Sequence, residues 1–404
     1  MKKCSFCGIP KDNIIIGQNK EIGICLDCAT KISEKQARKS NREKFSKRLK
    51  ANEILKPYQI VDELNKYIIS QDTAKKVIAV ETYNHFKRIN DESDVELRKN
   101  NMLIIGPTGS GKTAIVERLA KILNIPFVIF DATSLTSAGY IGQNVENCLA
   151  RLYMQANGNQ ELAEKGIIYI DEIDKIAAKN TNGGKDVNGE SVQQAFLKMM
   201  ENAVISVEIN KDEKIEMNTR NILFIFGGAF DGLSQIIEER MKIHSFGGLG
   251  TNESSQNTEV DKVNIVYNNV TPEDIINFGF IGEFIGRIPV IVPLKNLTKE
   301  DMHDILLNTE NSIIKEYKHL FSLDGVNLEF EDDAIDYIVD EAISRGTGAR
   351  GLRSIFSKQL NNLTYEITSK DNHQENYLVT KKFLNGEKED NKASSSASKS
   401  QANG

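Results

Sequence analysis

Gly106-Pro107-Thr108-Gly109-Ser110-Gly111-Lys112-Thr113 satisfies the pattern G-x-x-x-x-G-K-[ST] at every fixed position. Residues of these types at this spacing hold phosphate. Glycines let the backbone turn around an anion, and N–H groups of the loop and of a following helix N-terminus point at it. Lys112 reaches the outer phosphates of a nucleotide, and the Thr113 hydroxyl is placed to ligate Mg²⁺. The expected binding set is Pro107, Thr108, Gly109, Ser110, Gly111, Lys112, Thr113 and Ala114. A chance glycine-rich turn is the alternative, and the flanks argue against it. Asn101 to Ile105 reads as a short buried strand, and Ile115, Leu119 and Ile122 recur at helical spacing. The chain is expected to bind a nucleoside triphosphate.

A second constellation follows in Gly166-Ile167-Ile168-Tyr169-Ile170-Asp171-Glu172-Ile173-Asp174. An acid at the C-terminal end of a strand faces the ligand crevice of an open parallel sheet. Asp171 is expected to hold Mg²⁺ through water, and Glu172 to polarise an attacking water. The plainer reading makes these acids caps of the next helix. A third constellation is Cys4-x-x-Cys7 with Cys25-x-x-Cys28, a spacing that suits tetrahedral Zn²⁺. A segment this small cannot fold on apolar burial alone, and zinc supplies about 10–16 kcal/mol in such peptides. Disulfides or a redox site are the alternative. Cys148 reads as a buried small hydrophobe in a helix. The histidines His85, His244, His303, His319 and His373 show no metal spacing and read as structural or solvent-facing.

The elements that must position these groups are short Ile- and Val-rich runs: Met102–Ile105, Phe127–Phe130, Ile167–Ile170, Ile222–Phe226 and Pro289–Val292. Such runs fit a parallel sheet covered by helices on both faces, a three-layer α/β domain. From Leu297 the pattern turns helical, as in Lys299–Tyr317 and Asp333–Ser344, which suggests a smaller second domain. Lys31 to Lys56 reads as a linker or solvated helix, Gly247 to Asp261 as a loop, and Gly386 to Gly404 as a disordered tail.

These residues resemble a family. Gly139-Tyr140-Ile141-Gly142, Asp171-Glu172-Ile173-Asp174-Lys175, Glu283-Phe284-Ile285-Gly286-Arg287 and Gly348-Ala349-Arg350-Gly351-Leu352-Arg353 are similar to motifs of the ClpX family. These are AAA+ unfoldases that feed proteins to a partner peptidase. The resemblance runs from about Cys4 to about Lys382, zinc module included. It implies an AAA+ P-loop NTPase domain followed by a smaller, mostly helical domain, acting on ATP as a homohexamer. Arg287 matches the finger that reaches a neighbour's nucleotide, and Arg350 the sensor that touches the γ-phosphate from the small domain. Lys112, Asp171, Glu172, Arg287 and Arg350 thus form the catalytic set. Ile68 and Ile69 match residues that pack on adenine. Tyr140 and Ile141 match a pore loop that grips polypeptide, and Lys185-Asp186-Val187-Asn188-Gly189-Glu190-Ser191 falls where a second pore loop is expected.

The implied partners are unfolded or tagged proteins and a ClpP-type peptidase. The implied division is 1–35 zinc-binding module, 36–56 linker, 57–296 large domain, 297–385 small domain and 386–404 tail. A stand-alone remodelling chaperone and a nucleic-acid-linked motor are the alternative readings. With 51 basic against 57 acidic residues and a net charge of -6, nucleic acid is not the expected partner. The longest apolar runs are too short to span a bilayer and Met1-Lys2-Lys3-Cys4 opens no secretory signal, so a cytoplasmic protein is expected.

Three departures from the family bear on function. Ser70 stands where the family has a glycine. Val207 to Thr219 is expected to contain a pore-entrance loop, yet it carries Glu208, Asp212, Glu213 and Glu216 against Lys211 and Lys214 instead of an Arg-Lys-His triplet. The nearest stretch to the family's Ile-Gly-Phe-type peptidase-docking loop is Ile243-His244-Ser245-Phe246-Gly247-Gly248, which keeps an aliphatic and an aromatic anchor but sets two residues in place of the single glycine.

Overall fold

The computed structural model describes residues 2–11, 13–16, 23–30, 54–136, 143–178, 187–210, 213–245, 264, 266–369 and 376–385. Five strands form the central sheet: β1 (Met102–Ile105), β2 (Phe127–Asp131), β3 (Ile167–Asp171), β4 (Leu223–Gly228) and β5 (Val290–Pro293). Their spatial order is β5-β1-β4-β3-β2, and every pairing is parallel. The five apolar runs read from the sequence are these strands, with no end displaced by more than two residues.

Side chains alternate between the faces of a strand, so each run feeds two cores. Leu103, Ile105, Ile168, Ile170, Phe224 and Phe226 enter one. Met102, Ile104, Ile167, Tyr169, Leu223 and Ile225 enter the other, beneath the Pro57–Asn65, Asp72–Ile89 and Lys112–Leu123 helices. In the first core, Phe226 meets Phe196 and Phe284 edge-on at centroid distances of 5.6 and 5.2 Å. This burial on both sides explains why the strands are continuous apolar runs.

A third core gathers residues from Met302 to Leu384. Around it lie the Lys299–Leu307, Ile313–Leu323, Asp332–Ser344 and Gly348–Thr368 helices, with a parallel pair of strands, Asn327–Phe330 and Asn376–Val379. The helical pattern over Lys299–Tyr317 is divided between two helices. Ser312 caps the second one, its hydroxyl accepting from the Lys315 N–H at 3.2 Å.

The segment from Val207 to Thr219, expected to include a pore-entrance loop, forms most of an antiparallel hairpin, Val204–Asn210 with Glu213–Asn218, whose turn lies outside the described residues. Ile205, Val207 and Met217 turn into the first core while Glu208, Glu213, Lys214 and Glu216 face solvent. The charged outer face had masked the strand alternation. No helix among the described residues is long and apolar enough to cross a membrane.

Candidate functional site

β1 ends between the ends of β4 and β5, with Ile105 in register with Gly228 and Pro293. The phosphate loop therefore emerges at the C-terminal edge of the sheet, in a crevice walled by two neighbouring strands. Gly109 and Gly111 adopt φ of 81° and 99°, a region where L side chains are strained. Gly111 caps the Lys112–Leu123 helix, so the helix N-terminus opens into the loop. The Lys112 ammonium folds back onto the Gly106 and Pro107 carbonyls at 2.6 and 3.0 Å. Burial pulls its pKa down, while Asp171, Asp174, Asp231 and Glu172 push it up.

β3 delivers the carboxylates. The Thr113 hydroxyl donates to Asp171 Oδ2 at 2.7 Å, and the Tyr169 hydroxyl and the Glu172 N–H donate to Oδ1 at 3.2 and 2.9 Å. Burial raises the Tyr169 phenol well above its ordinary range, so it stays a neutral donor. Gly227 leaves room for that phenol, because a Cβ there would overlap the Tyr169 hydroxyl. Glu172 is exposed at φ 54°, a left-handed turn that sets its carboxylate beyond the strand end. Strain of this kind clusters at functional positions. Hydroxyl and carboxylate oxygens are the hard donors that Mg²⁺ prefers, and Thr113 with Asp171 supplies both at hydrogen-bond contact.

Two further segments approach this crevice. A Cβ on Gly109 would lie 2.9 Å from the Thr347 carbonyl oxygen, and one on Gly348 would lie 3.0 Å from that of Thr108. The start of the Gly348–Thr368 helix thus touches the phosphate loop, and Arg350 lies in its first turn. Arg350 is exposed, with no ion-pair partner among the described residues. On the other side, Ile68 is buried and Ile69 half-buried, just before Ser70 and Gln71 at φ 57° and 63°. Ser70 therefore occupies a left-handed position that glycine would adopt without strain.

Arg287 is elsewhere. Its carbonyl accepts from Asn101 Nδ2 at 2.9 Å, and Asn101 immediately precedes β1. It lies at the N-terminal edge of the sheet, opposite its own phosphate loop. Its guanidinium pairs with Glu201 at 2.8 Å, and both side chains are largely exposed. Tyr140, Ile141, residues 179–186 and residues 246–248 lie outside the described residues, as do the Gly247–Asp261 and Gly386–Gly404 segments.

The Sγ atoms of Cys4, Cys7, Cys25 and Cys28 all lie within 4.8 Å of one another. Cys7 and Cys25 are 3.9 Å apart, close to the roughly 3.8 Å edge of a tetrahedron with 2.3 Å Zn–S bonds. Backbone N–H groups, Cys25 foremost, lower Cys4 to about 6, whereas hydrogen bonding to Cys25 raises Cys28 to about 12. Four converging thiols are the donor set of a structural zinc site, and the residues fit that ion. Cys148 is buried in the Asn147–Gln155 helix.

Sequence reasoning missed Tyr169 and Gly227, because an aromatic in an apolar strand signals only core. It also missed Glu201, Asn101 and Gln71, whose partners are distant in the chain.

A profile of the AAA domain (Cdc48 subfamily) matches residues 97–291, and one of the C-terminal, D2-small domain, of ClpB protein matches residues 297–380. With the loop and acids above, they define the chain as an AAA-type ATPase that binds ATP. Among its relatives is the ATP-dependent Clp protease ATP-binding subunit ClpX of Bacteroides fragilis (strain YCH46), 42% identical over 396 residues, 94% of each chain. The protein of the same description from Borrelia duttonii (strain Ly) is 45% identical over 381 residues, 91% of this chain and 87% of that one. The chain belongs to the ClpX family of Clp ATP-binding subunits.

Proposed function

We propose that the chain is an ATP-driven protein unfoldase that assembles into a homohexameric ring, grips client proteins at a central pore and threads them into a ClpP-type peptidase. The observation that carries this reading is the separation of Arg287 from its own phosphate loop by the length of the sheet. A finger that cannot serve its own nucleotide suits a neighbour's, so hydrolysis requires assembly.

The proposed division of the chain is that set out above, with residues 57–296 as the large domain and 297–385 as the small one. Pro107 to Ala114 wrap the phosphates, with Ile68 and Ile69 on the adenine. Incoming phosphate replaces the Gly106 and Pro107 carbonyls as the partner of the Lys112 ammonium. Thr113 and Asp171 would hold Mg²⁺, which when bound neutralises phosphate charge. Glu172 orients the attacking water and accepts its proton. Arg350 reaches the γ-phosphate from the small domain, and Arg287 of the adjoining copy completes the charge at the transition state. A finger of this kind is worth about 10³–10⁵ in rate.

Tyr140 and Ile141 would hold polypeptide by apolar contact, which demands no particular register. Zinc on Cys4, Cys7, Cys25 and Cys28 would fold the N-terminal module. Client choice turns on charge: the hairpin's exposed Glu208, Glu213 and Glu216 disfavour acidic tags, a preference that differs from a standard C-terminal tag. A cytoplasmic setting belongs to the same reading.

The test is ATP-dependent loss of fluorescence from a tagged reporter, with and without the peptidase, in wild type and Tyr140→Ala. The substitution should spare nucleotide binding and cripple unfolding. Normal ATP turnover with no client ever denatured, whatever its tag, would sink the proposal.

A further inference from the structure

The turn on the adenine side is tied to both bodies of the ATPase at once. Gln71 is 3% exposed, and its side-chain amide makes three hydrogen bonds. Nε2 donates to the Lys295 carbonyl at 2.8 Å and to the Ser110 carbonyl at 3.4 Å, and Oε1 accepts from the Lys295 N–H at 2.9 Å. Lys295 lies just past β5, two residues before Leu297, which packs against the third core. Ser110 belongs to the phosphate loop. One amide therefore holds both backbone groups of the joint between the domains, with its remaining N–H on the loop that meets phosphate.

The other end of the same segment is fastened too. The Lys66 carbonyl accepts from the Glu310 N–H at 2.8 Å, and Glu310 lies between the first two helices of the third core. Residues 66–71 are thus pinned at each end to chain belonging to the small domain or leading into it. The turn also has a tie of its own. Lys75, buried at 2% exposure, braces it from within, donating to the Ile68 carbonyl at 3.2 Å and to Asn65 Oδ1 at 2.6 Å. The outward grip of Gln71 is additional to that brace.

We propose that Gln71 is a positioning residue that couples the state of the phosphate loop to the orientation of the small domain. This rests on reading the chain as an ATP-driven unfoldase, because the small-domain movement it transmits is the stroke. The Ser110 contact is the longest of the three and is the one placed to respond when phosphate reorganises the loop. The paired bonds to Lys295 carry that response to the joint as a rigid link. A ligand acts on an orientation only through such a differential contact.

The experiment uses the full chain with fluorophores on noncanonical side chains at the exposed positions Lys121 and Lys318, one on each domain. It compares wild type with Gln71→Gly and Gln71→Glu. Glycine relaxes the φ of 63° at this position and removes only the grip. Glutamate keeps the acceptor for the Lys295 N–H but sets a carboxylate against two carbonyls. In wild type, ATP with Mg²⁺ should shift the energy transfer between the labels.

Both variants should bind nucleotide within about threefold of wild type, lose most of that shift, and spend about fivefold or more ATP per reporter unfolded, the usual size of a coupling. Gln71→Gly with a full shift would overturn the proposal. So would a loss of nucleotide binding with the shift intact, which would make Gln71 a pocket residue only. If the glycine variant does not fold, the glutamate variant carries the same distinction. A wild type that shows no shift overturns the coupling. A wild type that shifts but unfolds nothing, with the shift lost in the variants, sinks the unfoldase reading and leaves the coupling standing.

Discussion

The two edges of the central sheet are electrostatic opposites. At the C-terminal edge Asp171, Glu172, Asp174 and Asp231 gather around two lysines, Lys112 of the phosphate loop and Lys175, which pairs with Asp174 at 3.0 Å. At the N-terminal edge cations crowd one another. Burial first, then Arg88, lowers Lys99 to about 7, and burial, then Arg88 and Lys99, lower His85 to about 3. Arg287 stands on that second edge with its backbone held by Asn101 and its side chain exposed. The contrast teaches that one edge gathers the groups of a nucleotide site whereas the other leaves a guanidinium exposed, which the proposed function assigns to an adjoining copy. On the proposed reading, a catalytic unit divided in this way is silent until copies meet.

The hardest test of the contrast is Arg287→Ala. It should lower the ATPase rate of the assembled ring by about 10³-fold while leaving ATP affinity unchanged, if the residue serves a different subunit as proposed. Mixing it with Glu172→Gln subunits should restore part of the turnover, since each lesion spoils a different half-site. A tenfold loss of ATP binding in Arg287→Ala monomers would break the division. Glu172→Gln alone should reduce turnover by about 10²–10⁴-fold with nucleotide still bound, as measured by phosphate release.

A pH titration probes the N-terminal edge. His85 resists protonation in the fold to about 3, whereas its unfolded value is near 6.5. As pH falls through 6.5 the unfolded chain takes up a proton that the folded chain refuses, so stability declines from there toward pH 3. The limiting slope is about 1.4 kcal/mol per pH unit, and His85→Asn should flatten its share of the denaturation profile.

Smaller effects sharpen the picture. Ser70→Gly should raise stability by up to about 1 kcal/mol by removing a left-handed residue with a side chain, read from the denaturant midpoint. Glu201→Gln breaks an exposed pair and should shift stability by less than about 1 kcal/mol, leaving any larger change in ring turnover to be assigned to the finger.

Much of the site was legible in the chain because its parts are local. The phosphate loop, the acids after β3 and the cysteine pairs each lie within a few residues, and their chemistry follows from spacing. The strands were legible because burial on both faces leaves nothing but apolar residues. The hairpin at Val204–Asn218 was not, since the charges at its outward positions drew attention from the apolar residues that alternate with them. Gln71 was invisible for another reason: an amide becomes informative only through its partners, and Lys295 is 224 positions away. Tyr169 looked like filler for the same reason, as its hydroxyl has meaning only beside Asp171 and opposite Gly227.

The close approach of Gly109 to Thr347 carries a practical consequence. A single methyl group at position 109 would act as a wedge driven between the two bodies of the subunit. Gly109→Ala would therefore act twice, straining the phosphate loop at its φ of 81° and propping the jaws of the subunit apart.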